Sequence, residues 1–166
     1  MITDSKQSGL QPGEKQDGLT HVGPDGRARM VDVSAKAVQL RIARAAGSIS
    51  LGSETVHLIR ENQIRKGDVL RLAETAGILA AKQCPSLIPL CHTLLLTQVS
   101  VTATLTDSTV EVQAEVRCTG QTGVEMEALT AVSVALLTVY DMCKAVDKTM
   151  TLGNIHLIEK EKHDIL

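Results

Sequence analysis

Asp141 and Lys144 stand three residues apart in a stretch that reads as helix, so both side chains leave one face. The thirteen residues from Ala128 to Tyr140 carry no charge, and Met142 and Cys143 lie between the pair. An exposed pair of this kind contributes about 0.3–0.5 kcal/mol; at the end of so apolar a helix, partial burial is expected. A lysine held charged by a carboxylate can give a proton to a departing oxygen, whereas a general base would need its pKa lowered to about 7–8. The acid role therefore falls to Lys144. At the other end of the same stretch, Glu125 and Glu127 follow Thr119-Gly120-Gln121-Thr122-Gly123, a strand-to-helix junction whose backbone N–H groups favour an anion. The junction lacks the Gly-Lys-Ser/Thr ending of a P-loop, and its two carboxylates would repel phosphate. Thr122-Gly123-Val124-Glu125 fits a capping box, which gives Glu125 a structural role. Glu127 lies beyond the cap, where it can accept from the N–H edge of a base or from a sugar hydroxyl.

Ile88-Pro89-Leu90-Cys91-His92 places a thiol beside an imidazole at the mouth of a strand. Neighbours in a strand point to opposite faces, so Cys91 and His92 form a poor nucleophile-base couple, and Cys91 reads as a buried thiol. His92 follows two prolines and can bind an anion or move a proton near neutral pH. Arg41, Lys66 and Lys82 are each ordinary surface charges alone. With Lys144 and His92 they could neutralise a triphosphate. Glu127 and Asp141 are fourteen residues apart, nearly on one helix face but separated by about 21 Å along the axis. No small substrate spans that distance. If both serve one site, two copies of the chain contribute to it, most simply across a twofold interface.

These residues need elements to hold them. Residues 1–18 are expected to form a mobile tail, with a single domain over 19–166. Gly23-Pro24-Asp25-Gly26 signals a turn, and Met30–Val33 a short extended piece. Val38, Leu40 and Ile42 alternate with polar neighbours in a first strand reaching towards Leu51. Ser53 opens a short helix; Asp68 caps a second, whose apolar residues recur at i, i+3, i+4 and i+7 until Pro85. Strands over about 95–106 and 110–118 form an antiparallel hairpin around Asp107-Ser108. A long helix from Val124 to about Lys148 and a last strand over 150–159, bulged at Gly153, complete the order. This is an α+β, ferredoxin-like β-α-β-β-α-β pattern with an extra helix in its first crossover.

The composition narrows the function classes. The 166 residues carry 17 basic and 19 acidic side chains, a net charge of −2, so no broad positive field serves nucleic acid. Trp and Phe are absent and Tyr140 is the sole aromatic, so bases have no stacking platform. The longest stretch free of Asp, Glu, Lys and Arg, 83–106, holds two prolines and alternates with period two from Thr97, which fits a half-buried strand and not a membrane span. No secretory signal is read at the start, and a cytoplasmic location is expected. The four cysteines, 7, 27 and 25 residues apart, have neither C-x-x-C nor zinc-finger spacing; reduced thiols and no protein metal site are expected.

Six ordered motifs carry a resemblance over residues 19–160. They are Leu19-Thr20-His21-Val22, Met30-Val31-Asp32-Val33-Ser34-Ala35-Lys36, Lys66-Gly67-Asp68, Leu87-Ile88-Pro89-Leu90-Cys91-His92, Thr122 through Thr130, and Tyr140 through Val146. Together they resemble the cyclic pyranopterin monophosphate synthases, the MoaC-type enzymes of molybdenum cofactor biosynthesis. The resemblance implies a lyase that converts (8S)-3',8-cyclo-7,8-dihydroguanosine 5'-triphosphate to cyclic pyranopterin monophosphate with release of diphosphate, without a redox step. It implies a homo-hexamer, a trimer of dimers, with active sites between subunits. By the same resemblance Asp141, Lys144 and Lys66 are catalytic; Leu90, Cys91, His92, Met126 and Glu127 line the substrate; and Arg41, Lys82 and Glu125 occupy further site positions. No cofactor is required of the protein; Mg2+ would enter, if at all, with the triphosphate. Thr93 departs from a common proline and leaves the backbone at His92 freer. The rivals are a non-catalytic sensor that binds a phosphorylated small molecule between subunits, and a hydrolase that depends on Cys91.

Overall fold

The computed structural model describes residues 25–165. The chain divides into a unit ending at Val31 and a second over Asp32–Leu166. The described part of the first is exposed up to Met30 and holds a local turn, in which the Arg27 N–H donates to Asp25 at 3.1 Å. The expected tail over 1–18 and the motif at Leu19–Val22 lie outside the described residues.

In the second unit the elements run β1 (Gln39–Ser50), α1 (Ser53–Arg60), α2 (Val69–Lys82), α3 (Cys84–Leu87), β2 (Leu96–Leu105), β3 (Thr109–Gly120), α4 (Glu125–Cys143) and β4 (Thr151–Asp164). The strands form one antiparallel sheet in the order β2-β3-β1-β4. Two strands pair as a hairpin in the middle of the chain, and a helical crossover precedes and follows them. That is the split arrangement expected from the sequence, with α1 the extra helix.

The period-two pattern of β3 is the reason for the sheet's two faces. Val110, Val112, Ala114, Val116 and Cys118 are all buried, while Glu111, Gln113, Glu115 and Arg117 point away. Ala43, Ala45 and Ile49 of β1 share the buried face. Without Phe or Trp, the core is filled by Val, Ala and Leu, and α4 must come close to the sheet to exclude water. Ten of its nineteen residues are buried, including Ala128, Ala131, Val132, Ala135, Leu136 and Val139. The helix is long and apolar enough to cross a membrane by length and composition alone, but here that apolar surface packs against the sheet and α2.

Gly77 makes the contact between α2 and α4 possible. A Cβ there would lie 2.9 Å from the Ala131 carbonyl oxygen and 3.1 Å from Val101. Backbone yields less readily than a side chain, so Gly77→Ala should separate the two helices and cost about 1–3 kcal/mol. A urea midpoint lowered at unchanged slope would register it.

Several boundaries differ from the sequence expectations. Met30–Val33 forms no strand. α2 ends at Lys82, and Pro85 sits in the first turn of α3, where its missing N–H costs nothing. α4 stops at Cys143, before the expected Lys148, and β4 runs on to Asp164. The bulge falls at Asn154-Ile155, which oppose Gly47 alone, with Asn154 at φ 55°. A second shift leaves Ile158 unpaired between Leu157 and Glu159.

Candidate active site

The Asp141 carboxylate is shared by two lysines. Lys66 Nζ donates to Oδ2 at 2.6 Å and Lys144 Nζ pairs with Oδ1 at 2.7 Å. All three side chains are about half exposed, at 47%, 54% and 55% for Lys66, Lys144 and Asp141, so the group is open to a ligand. The partial burial expected from the sequence is not found: Asp141 and Lys144 are both exposed, because they share the outer face of the last turn while Met142 and Cys143 between them take the buried one. Lys144 is the C-cap of α4, three residues beyond Asp141. Lys66 arrives from the connection between α1 and α2. There Gly67 takes φ +107°, a left-handed backbone that favours glycine, and turns the chain so that Asp68 can cap α2 by accepting from the Arg71 N–H at 3.1 Å. Lys66 Nζ also donates to the Asp141 carbonyl oxygen at 2.8 Å. That carbonyl belongs to the last turn of α4, where carbonyls lack helical partners and the helix dipole favours cations.

The pairing sets the charges. Lys144 first and Lys66 second hold the Asp141 carboxyl down to about 2, and Asp141 in turn raises the pKa of Lys144. Because the Asp141 value lies below that of an unfolded carboxylate, about 3.9, its ion pairs are fully present above pH about 4 and are lost as pH falls through 2. Lys144 keeps its proton above the ordinary lysine value of about 10.4. At neutral pH the group is a carboxylate between two ammonium ions, one of them able to donate to a substrate oxygen.

The opposite end of α4 has a different character. Val124 is its N-cap and supplies no side-chain cap, so Glu125 is the first helical residue. The capping box anchored on Thr122 therefore does not form, because the helix starts two residues too late for Glu125 to reach back to the cap. Its carboxylate instead folds over Gly123, where any side chain would collide with it, and pairs with Lys160 at 3.3 Å. Glu127 is 3% exposed, and its carboxylate is held by its own backbone N–H and by the Cys84 thiol. Burial, helped by the charge of Glu125, raises its pKa. The Glu127 charge reaches Cys84, Cys91 and Cys118. Burial first and the Glu127 charge second push the Cys91 thiol up. A protonated thiol is a weak nucleophile, which counts against a hydrolase built on Cys91. All four cysteines are free. Leu90 and His92 are half-buried in the same segment, and Met126 is exposed beside Glu127.

Arg41, on β1, donates to the carbonyls of Gly120 and Gln121 at 3.5 and 3.4 Å. It lines an open depression of about 490 Å³ with Lys36, Gln121, Thr122, Glu125 and Lys162. Lys160 joins Arg41, Glu125 and Lys162 in an adjoining hollow of about 260 Å³. The sequence analysis does not single out Lys36, Lys160 and Lys162: Lys36 lies far from the other two in the chain and the pairing of β1 with β4 brings them to one region, while a basic repeat at 160 and 162 on one strand face is the available signal. Lys82 is elsewhere, in a cleft with Ile78 and Leu94–Val99. Among the described residues no three His, Cys, Asp or Glu side chains converge as a metal would require.

The chain thus carries two chemical groupings at the two ends of one helix. Glu127 and Asp141 are separated by fourteen helical positions, about 21 Å of rise.

The chain is similar to known proteins over most of its length. A MoaC family model matches residues 30–163. A cyclic pyranopterin monophosphate synthase of Desulfitobacterium hafniense is 55% identical over 143 residues, 86% of this chain and 88% of that protein. One of Roseiflexus sp. is 57% identical over 144 residues, 86% of this chain and 91% of that protein. Molybdenum cofactor biosynthesis protein 1 of Drosophila melanogaster is 55% identical over 144 residues, 86% of this chain and 26% of its own length.

Proposed function

The chain belongs to the MoaC family, and from that premise we infer that it makes cyclic pyranopterin monophosphate in molybdenum cofactor biosynthesis. The substrate we assign is (8S)-3',8-cyclo-7,8-dihydroguanosine 5'-triphosphate, and the class is a lyase that releases diphosphate. The observation that carries this reading is the Asp141 carboxylate held between Lys66 and Lys144, because a reaction that rebuilds a ring while diphosphate departs needs a charged proton donor on a fixed mount.

The other groups take complementary parts. A product that is a cyclic monophosphate requires an internal hydroxyl to displace diphosphate at the innermost phosphorus. Arg41, Lys36, Lys160 and Lys162 would bind the triphosphate and stabilise the leaving charge. Glu127, buried and fixed, would accept from the N–H edge of the ring or from a sugar hydroxyl, with Leu90, Cys91, His92 and Met126 as the wall around it. Glu125 would steady Lys160. Lys82 would join the site only from another copy or by binding the outer end of the substrate.

The 21 Å between the ends of α4 supports a site built from two copies, and we extend this to a homo-hexamer arranged as a trimer of dimers. Free thiols and a small negative net charge support a cytoplasmic enzyme that uses neither membrane nor nucleic acid. No redox chemistry is asked of the protein.

Incubation with the cyclised guanosine triphosphate, followed by mass detection of the pterin and single-turnover measurement of diphosphate, tests the reading. A sensor would bind the nucleotide and release nothing. The pH profile offers a second check. In Asp141→Asn the charge that raises Lys144 is gone, so the alkaline limb of kcat/KM should move to lower pH, while wild type should show no acid limb from Asp141 above pH about 4.

A further inference from the structure

We propose that Asp147, three residues beyond Lys144, is a positioning residue for this reaction: its carboxylate fastens the start of α1 to the turn behind α4 and so holds Lys66 against Asp141 beside Lys144. The proposal rests on the assignment of Lys66, Asp141 and Lys144 to catalysis.

Asp147 is 6% exposed, a burial that a carboxylate tolerates only when its oxygens are satisfied. Oδ2 accepts from the Gly52 N–H at 2.7 Å and from the Thr55 hydroxyl at 3.2 Å; Oδ1 accepts from the Thr149 N–H and hydroxyl, both at 2.8 Å. These bonds join three segments. Gly52 is the N-cap of α1 and has no side chain with which to cap it, so Asp147 supplies the missing anion from across the fold. Thr149 leads into β4.

The clamp joins the segment that carries Asp141 and Lys144 to the one that leads to Lys66. On one side, the Asp147 and Val146 N–H groups bond to the Cys143 carbonyl at 3.0 and 2.9 Å, and the Lys144 N–H to Tyr140 at 2.9 Å, so Lys144 sits inside a turn whose far end is Asp147. On the other side, α1 continues into a connection tied to itself: Gln63 N–H to Leu58 at 2.8 Å, Asn62 N–H to Ile59 at 3.1 Å, and Gly67 N–H to Ile64 at 2.9 Å. That connection delivers Lys66. Lys66 therefore reaches Asp141 from a segment whose base Asp147 binds to the turn behind α4, and its 2.6 Å contact would be lost if those segments separated, whereas Lys144 is joined to Asp141 within one helical turn.

The test uses the full chain with Asp147→Ala and Asp147→Asn, and a second pair, Thr55→Val and Thr149→Val, which trims single hydroxyl contacts and reads the same quantities should Asp147→Ala fail to fold. Two readouts are taken. Zero-length carbodiimide coupling of Lys66 to Asp141, quantified by peptide mass, measures the placement without any turnover. Steady-state kinetics supply kcat and KM. The expected result in folded variants is a loss of about threefold or more in cross-link yield and about tenfold or more in kcat, with KM changed little and Asp147→Glu restoring part of both. Unchanged cross-linking and kcat in folded variants would overturn the proposal. If wild type forms no pterin yet its cross-link still depends on Asp147, the assigned activity falls and the hold of Asp147 on Lys66 stands.

Discussion

Lys144→Ala should slow diphosphate release from the cyclised guanosine triphosphate by about 10²–10⁴-fold, the usual contribution of a positioned proton donor. The loss should fall on the single-turnover rate more than on substrate binding, since Arg41 and the lysines of the depression remain. Asp141→Ala should be nearly as severe, because it removes the shared carboxylate and leaves two ammonium ions to repel each other. Cys91→Ala is the control. Its thiol is pushed up by burial and by Glu127, so a wall residue predicts retention of most of the rate, within about threefold. An inactive Cys91→Ala beside an active Lys144→Ala would reverse the assignment.

A mixture of two inactive chains should regain activity. Glu127→Gln damages one end of α4 and Lys144→Ala the other, and about 25 Å of helix rise keeps them apart within a chain. If each site draws one end from each of two copies, an equimolar, randomly reassembled mixture contains intact sites at about one in four. Activity should then rise from near zero to roughly a quarter of wild type after unfolding and refolding together. Flat activity across all mixing ratios would mean that one chain holds the whole site, and the intersubunit arrangement would be wrong.

The sequence was most legible where one periodicity dominates. In β3, buried Val110, Val112, Ala114 and Val116 alternate with charged or polar residues, and both ends of the strand were found closely. Asp68 was readable as a cap because its role is local. By contrast, the end of α4 was placed too late. Nothing in Lys144–Lys148 forbids helix; the chain leaves it because Asp147 is bound by Gly52, Thr55 and Thr149, contacts invisible to any local pattern. β4 was cut short because its bulge interrupts the alternation and its later residues are mostly exposed. The site followed the same division. Asp141 and Lys144 share a face by spacing alone, whereas Lys66 is named as a site lysine only through the resemblance and its contact with Asp141 is visible only in the fold, as 75 residues separate them. The Glu125 capping box failed for a related reason: the motif was present, but the helix began later than the motif assumed.

The irregular outer strand has a bearing on how this protein avoids growing without limit. β4 lies at the margin of the sheet, where unpaired N–H and C=O groups would otherwise template another chain. Two register slips within fourteen residues break the even spacing a docking strand would need, and the alternation Glu159-Lys160-Glu161-Lys162 sets like charges opposite one another in the register that faces Lys160 with Lys162. Open-ended ribbons of copies are therefore disfavoured along this margin of the sheet.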